Sequence, residues 1–295
     1  PVAHSFPTRR SSDLLLELFT TEDQEFRAEY RLEDKWDLTL TKQLYYLYYW
    51  FGSKGTKFPG RISPEVEKAL LEELWERMKH KDDIHIARQS TWWMVGSENH
   101  DIVSKVSCLI SSQIFRSEPA FAERIYPDRG TGAGQDYWFH QMYGSAAISG
   151  PPGEGKKTIK DPMTAEDHYK AWVSYFHEFF AERVRRGFFL EHASTGYMDV
   201  TISYLLDIYN FCEDRELRRK AGMFQDLIWC EWAQDALYGV KGGSRIRGDF
   251  DVWQDAMYNI TSYYFGGPYS LRGHGGSNGN FISHLHGDHF FGLPG

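Results

Sequence analysis

Apolar residues three and four positions apart recur along most of this chain, and that period constrains the fold more than any other feature. In "SPEVEKALLEELWERMKHK", Val66, Leu70, Leu71, Leu74 and Met78 fall on one helical face. Ser63 is placed to cap this helix and Pro64 to occupy its first turn. "AEDHYKAWVSYFHEFFAERVRR" follows Thr164 as a cap and runs until Gly187 stops it. "GYMDVTISYLLDIYNFC" aligns Ile202, Leu205, Leu206 and Tyr209, and "DRELRRKAGMFQDLIWCEWAQDAL" aligns Leu217, Ala221, Phe224 and Ile228. Further helices are expected over about 33–51, 99–115 and 249–264, roughly seven or eight in all. No strands alternate with these helices and no fixed-length repeat shows in the letters, so a parallel sheet is not expected. Helices of similar length joined by unequal Gly-, Pro- and Ser-containing loops suit an all-α fold with little or no β-sheet. The architecture expected is an incomplete (α/α) toroid of helical hairpins, and a plain bundle is the alternative.

Composition narrows the functions. The 295 residues are 41% apolar and 16% aromatic, with 10 Trp, 18 Tyr and 20 Phe. That is ample material for a large core or for stacking on sugar rings. A net charge of −8 gives no overall attraction to nucleic acid or anionic membrane, so neither is expected as a partner. No apolar run approaches the length of a membrane span. Cys108, Cys212 and Cys230 are few and spaced unlike zinc or redox motifs, and read as buried thiols. "GPPGEGKK" approaches a phosphate loop, but Lys157 stands where Ser or Thr is needed and no apolar strand leads into it.

Three segments concentrate reactive side chains. In "STWWMVGSENHDIVSK", Trp92 and Trp93 precede Ser97, Glu98, Asn99, His100 and Asp101 at a helix start. Capping and the helix dipole account for Ser97, Glu98 and Asp101, and less well for Asn99, His100 and the tryptophans. In "RGFFLEHASTGYMDVT", Glu191, His192, Ser194 and Tyr197 crowd a short link between helices, where Ser194 or Thr195 can also serve as an N-cap. In "YGVKGGSRIRGDFDVWQDAMY", Lys241, Arg245 and Arg247 surround a Gly-Gly pair and Tyr258 follows. Guanidinium forks suit a carboxylate or sulfate.

Together "GSENHD", "EHASTGY", "LLDIYNFCEDRELRRKAGMFQDL" and "GGSRIR" resemble the α/α-toroid polysaccharide lyases. The likeness is to heparinase II/III-like enzymes and more closely to glucuronan and alginate lyases. It spans roughly 180 residues. The resemblance implies β-elimination on a uronic-acid polymer, an anionic polysaccharide as substrate, no cofactor, and a periplasmic or secreted bacterial location. It implies catalytic roles for Asn99, His100, Tyr197, Arg245 and Arg247. Substrate contacts are expected at Trp92, Trp93, Glu98, Glu191, His192, Ser194, Lys241 and Tyr258. Rivals are a glycoside hydrolase using two of Glu98, Asp101 and Glu191 across the scissile bond, and a non-catalytic glycan-binding protein.

The two ends read differently from the body. "HSFPTRRSSDL" at His4 to Leu14 matches one frame of a widely used sequencing adaptor, so 1–14 is expected to be a foreign tail. In "FISHLHGDHFFGLPG", His284, His286, Asp288 and His289 are ligands of the type and spacing zinc takes. The run resembles the metal motif of the metallo-β-lactamase fold, RNase Z most closely. No later ligands follow His289, so 277–295 is expected to be a fragment without a working metal site. The body is then about 15–276, with no metal expected in it. Oligomeric state is not readable from the sequence.

Overall fold

The computed structural model describes residues 9–21, 24–25, 38–88, 90–92, 97–127, 163–189, 191–192, 194–237, 240–241 and 260. They divide into two units, Pro1–Lys81 and Asp82–Gly295. The fold is all-α: among the described residues the only ladder pairs Ala236–Leu237 with Val240–Lys241, antiparallel.

In the first unit, α1 (Arg9–Thr20) and α2 (Leu38–Phe51) both pack on α3 (Pro64–Met78). The five periodic residues of α3 are buried, as their spacing requires. Ser63 Oγ accepts from Val66 N–H at 3.3 Å, with Pro64 in the first turn. Glu67 accepts from the Ser53 amide and hydroxyl at 2.8 and 2.9 Å, tying the loop after α2 to α3.

The second unit holds α4 (Ile84–Ala87), α5 (Glu98–Ser117), α6 (Pro119–Ala122), α7 (Ala165–Arg186), α8 (Thr195–Phe211) and α9 (Arg215–Asp235). Side-chain bonds fix the directions. Glu98 pairs with Arg183, Lys105 with Tyr175 and Arg116 with Glu166, so α5 and α7 run antiparallel. Gln225 Nε2 donates to Ile202 O at 3.1 Å, and α8 and α9 form a second antiparallel pair. The hairpins stack with like helices side by side. Gln113 at the end of α5 bonds Phe211 O and Glu213 N–H, each at 2.7 Å, which makes α5 and α8 parallel. Phe180 meets Phe224 at 5.1 Å between rings, and Lys220 meets His177, which makes α7 and α9 parallel.

Burial separates the two layers. Every residue of α5 from Glu98 to Phe115 except His100 is buried, and α8 has no exposed residue among those described. α7 and α9 keep one face in solvent, mostly polar but including Val184, Met223 and Leu227. A symmetric four-helix bundle would expose a face of each helix; here α5 and α8 form an inner layer. Gly187, at φ 109°, ends α7 in a conformation that side-chain-bearing residues rarely adopt, and the chain turns into the 188–194 link.

Candidate functional site

The stacking brings the N-termini of α5 and α8 to the same end, and there two of the three sequence segments meet. Glu191 Oε2 accepts the Asn99 backbone N–H at 3.0 Å, and Glu98 Oε2 accepts the Glu191 N–H at 3.0 Å. The two bonds are reciprocal across 92 and 93 residues of sequence. Ser97 occupies the N-cap position of α5 but makes no side-chain cap bond. Its hydroxyl instead donates to Asn99 Oδ1 at 2.6 Å. The expected local cap is therefore replaced by Glu191, whose charge also suits the positive end of α5.

Behind this joint lies Arg183, on the last turn of α7. Its Nη1 is 3.1 Å from Glu98 Oε1, with side chains 1% and 2% exposed. The guanidinium lies over the Trp92 ring at 3.9 Å, with Phe179 at 4.9 Å. Trp92 Nε1 in turn donates to Glu182 at 3.4 Å. Trp92, expected to stack on a sugar, thus already carries Arg183 on one face. Glu98, expected to touch substrate, is interior and held by Arg183 and the Glu191 amide.

One turn along α5, Asp101 pairs with Lys105 at 2.5 Å, and Lys105 Nζ bonds Tyr175 Oη at 2.8 Å, all buried. Burial works against the Lys105 charge, yet Asp101 and Tyr175 together hold its pKa above the ordinary value. His100 reaches the surface. Desolvation by the surrounding protein lowers its pKa, which favours the neutral imidazole.

In the 191–194 turn, closed by Ser194 N–H to Glu191 O at 2.9 Å, His192 Nε2 lies 2.7 Å from Glu231 Oε2 of α9. Ser194 is the N-cap residue of α8 without a side-chain cap bond, and its buried Oγ makes no hydrogen bond among the described residues. Tyr197 is half-buried in the first turn of α8.

The structure thus brings together Trp92, Glu98, Asn99, His100, Glu191, His192, Ser194 and Tyr197. Trp93, Arg245, Arg247, Tyr258 and the 284–289 motif lie outside the described residues, as does the Lys241 side chain. Sequence reasoning missed Arg183, Glu182 and Glu231. Arg183 left a legible trace, since it continues the apolar register Trp172, Phe176, Phe179, Phe180 of α7, where a charge is out of place.

Among the described residues no cluster of three His, Cys, Asp or Glu side chains is arranged to hold a metal ion, and no helix is long and apolar enough to cross a membrane. No family model, curated protein or solved structure matches the chain.

Proposed function

We propose that this chain is a polysaccharide lyase domain that cleaves a uronic-acid-containing glycan by β-elimination. The observation that carries the reading is the 3.0 Å bond from Asn99 N to Glu191, which joins the two reactive segments at one end of the stacked hairpins. Parallel inner helices, parallel outer helices and reactive residues gathered at one end are what an α/α toroid repeats.

Elimination needs three things: a neutralised uronate carboxylate, a base for the C5 proton and an acid for the departing O4. With Asn99 Oδ1 engaged by Ser97, the Nδ2 end of the amide is the donor suited to a carboxylate. Such a preorganised donor acidifies C5, and Arg245 or Arg247 would add positive charge. Arg183 and Lys105 are already paired with Glu98 and Asp101, so neither is offered as the cation for the uronate. His100, kept neutral by desolvation, suits the base, and Tyr197 is the sequence's candidate acid. The hydrolase rival is disfavoured because two of its three candidate carboxylates, Glu98 and Asp101, are buried in ion pairs.

The test is near-ultraviolet absorbance of unsaturated products on glucuronan, alginate and heparin-like glycans. The expected result is product formation that falls at least about 100-fold in Asn99→Ala. Reducing ends without the chromophore, or activity undiminished in Asn99→Ala and Tyr197→Phe, would refute the reading.

A further inference from the structure

Single apolar side chains on a protein surface are ordinary, but three of the five large ones exposed among the described residues share one face. Val184 of α7 is 52% exposed, and Met223 and Leu227 of α9 are 53% and 41%. The stacking of the outer helices puts them level. Lys220 Nζ lies 3.0 Å from His177 Nδ1, and Phe224 is 5.1 Å from Phe180 between rings, so α9 runs beside α7 at an offset of 43 to 44 residues. Val184 is therefore level with Leu227. Met223 lies one turn back, with Arg219 Nη1 at 3.9 Å from its Sδ.

The charge along α9 indicates what covers this face. Beyond the Asp214 cap, residues 215–220 carry Arg215, Arg218, Arg219 and Lys220 against Glu216, while residues 221–235 carry Asp226, Glu231 and Asp235 with no base. Cations at a helix N-terminus and anions at its C-terminus oppose the helix dipole, so this order does nothing for an isolated helix. It matches a second copy of the same helix laid antiparallel. Around a two-fold axis level with Gln225, Met223 meets Leu227 of the copy, and exposed Arg215 meets exposed Asp235. The helix offset carries that axis to α7 between Ala181 and Glu182, where exposed Arg185 meets exposed Glu178 of the copy. One axis thus serves the apolar pair and both charge pairs, as an isologous contact requires.

We infer that this chain self-associates through the outer face of α7 and α9, as an antiparallel two-fold dimer centred on Met223 and Leu227. The surface is independent of the lyase reading. A strip two helices wide, about 20 Å, and about 30 Å long offers about 600 Å² per copy, the low end for a specific interface. With so small an apolar centre the dimer is a weak one, with Kd about 1–100 µM, and below that concentration the face is open. The reactive segments lie at the end where α7 finishes, so the antiparallel order sets the two copies' reactive ends at opposite ends of the dimer.

The experiment is sedimentation velocity of the full chain from about 1 to about 300 µM. Reducing conditions are used because Cys230 is exposed one turn from Leu227. The expected result is a concentration-dependent shift from monomer to dimer. Met223→Glu and Leu227→Glu should each weaken the dimer at least about 10-fold. Both side chains are exposed in the monomer, so its circular dichroism should not change. Arg215→Glu should weaken the dimer about 3- to 10-fold yet raise the thermal midpoint of the monomer, because an acid suits a helix N-terminus. Adding Asp235→Arg to Arg215→Glu restores opposite charges across the axis and should return the affinity to within about 3-fold of wild type. A chain still monomeric at about 300 µM, or a dimer indifferent to both Met223→Glu and Leu227→Glu, overturns the proposal. A double charge variant no tighter than Arg215→Glu alone overturns the antiparallel register.

Discussion

Replacing Arg183 by methionine tests whether the reactive end depends on one buried ion pair. Arg183 and Glu98 are 1% and 2% exposed, so removing the guanidinium strands a carboxylate in the interior, with the Glu191 amide as its remaining described hydrogen bond. Breaking a buried pair from one side costs about 3–5 kcal/mol. The cation–π contacts with Trp92 at 3.9 Å and Phe179 at 4.9 Å add about 0.5–2 kcal/mol, while methionine keeps part of the aliphatic packing. The expected loss is therefore about 3–6 kcal/mol, a large share of the 5–15 kcal/mol typical of a whole domain. Glu98→Gln should cost a comparable amount, since it leaves the guanidinium unpaired. The double variant should cost less than the two single losses together, by at least about 1.5 kcal/mol, because neither charge is then stranded. Urea unfolding followed by far-ultraviolet circular dichroism measures all three. A single loss in Arg183→Met below about 1 kcal/mol, or strict additivity in the double variant, would refute the reasoning.

Three further outcomes are expected. Glu191→Ala removes the cap that α5 receives from across the hairpins and should cost about 0.5–2 kcal/mol, with amide exchange accelerated at residues 98–101. Unchanged exchange there would show that the cap does not hold the helix end. Cys230 is exposed, against its reading as a buried thiol, while Cys108 and Cys212 are buried, with desolvation pushing the Cys212 thiol up to about 12. A thiol reagent should modify one cysteine per native chain and three after unfolding, and two fast-reacting thiols in the native protein would contradict this burial. Because His100 has a lowered pKa, its base form persists as pH falls, and under the proposed lyase role the acid limb of kcat/KM should lie below pH about 6.5. The same shift means that its contribution to stability is present above the unfolded value and lost as pH falls through the folded one. An acid limb above pH 6.5 that survives in His100→Gln would assign it to another group.

The helices were legible because their burial follows the apolar period. Leu70, Leu74, Ile202, Leu205, Leu217, Phe224 and Ile228 all lie where the three-and-four spacing puts them. α5 was legible in extent but not in burial. Ser104, Lys105, Ser107, Ser111, Ser112 and Gln113 look like a solvated face, yet all are interior. Two of them have partners far away in sequence: Tyr175 Oη for Lys105, and Phe211 O with Glu213 N–H for Gln113. Ser112 is satisfied locally, on Cys108 O and Leu109 O. Such partners carry no periodic signal, because a polar side chain enters a core one bond at a time. The site was legible as two separate segments whose side chains exceeded what capping requires. Their joining was not, since Glu191 reaches Asn99 only through the stacking of hairpins. Glu231 was invisible for a simpler reason: a lone acid near a helix end looks like any solvated charge.

The burial of α5 has a bearing on how the second unit comes apart. A helix sheltered nearly all round belongs to both hairpins, so neither α7 nor the α8–α9 pair can detach without uncovering it. At its far end Gln113 binds the α8–α9 link with both atoms of its amide, as one peptide group binds another across a strand. Opening therefore exposes a whole core at once, so α5 amides should exchange only with global unfolding and the two hairpins should behave as one foldon. Any loosening short of global unfolding must therefore come from outside α5, and the spine stays shut.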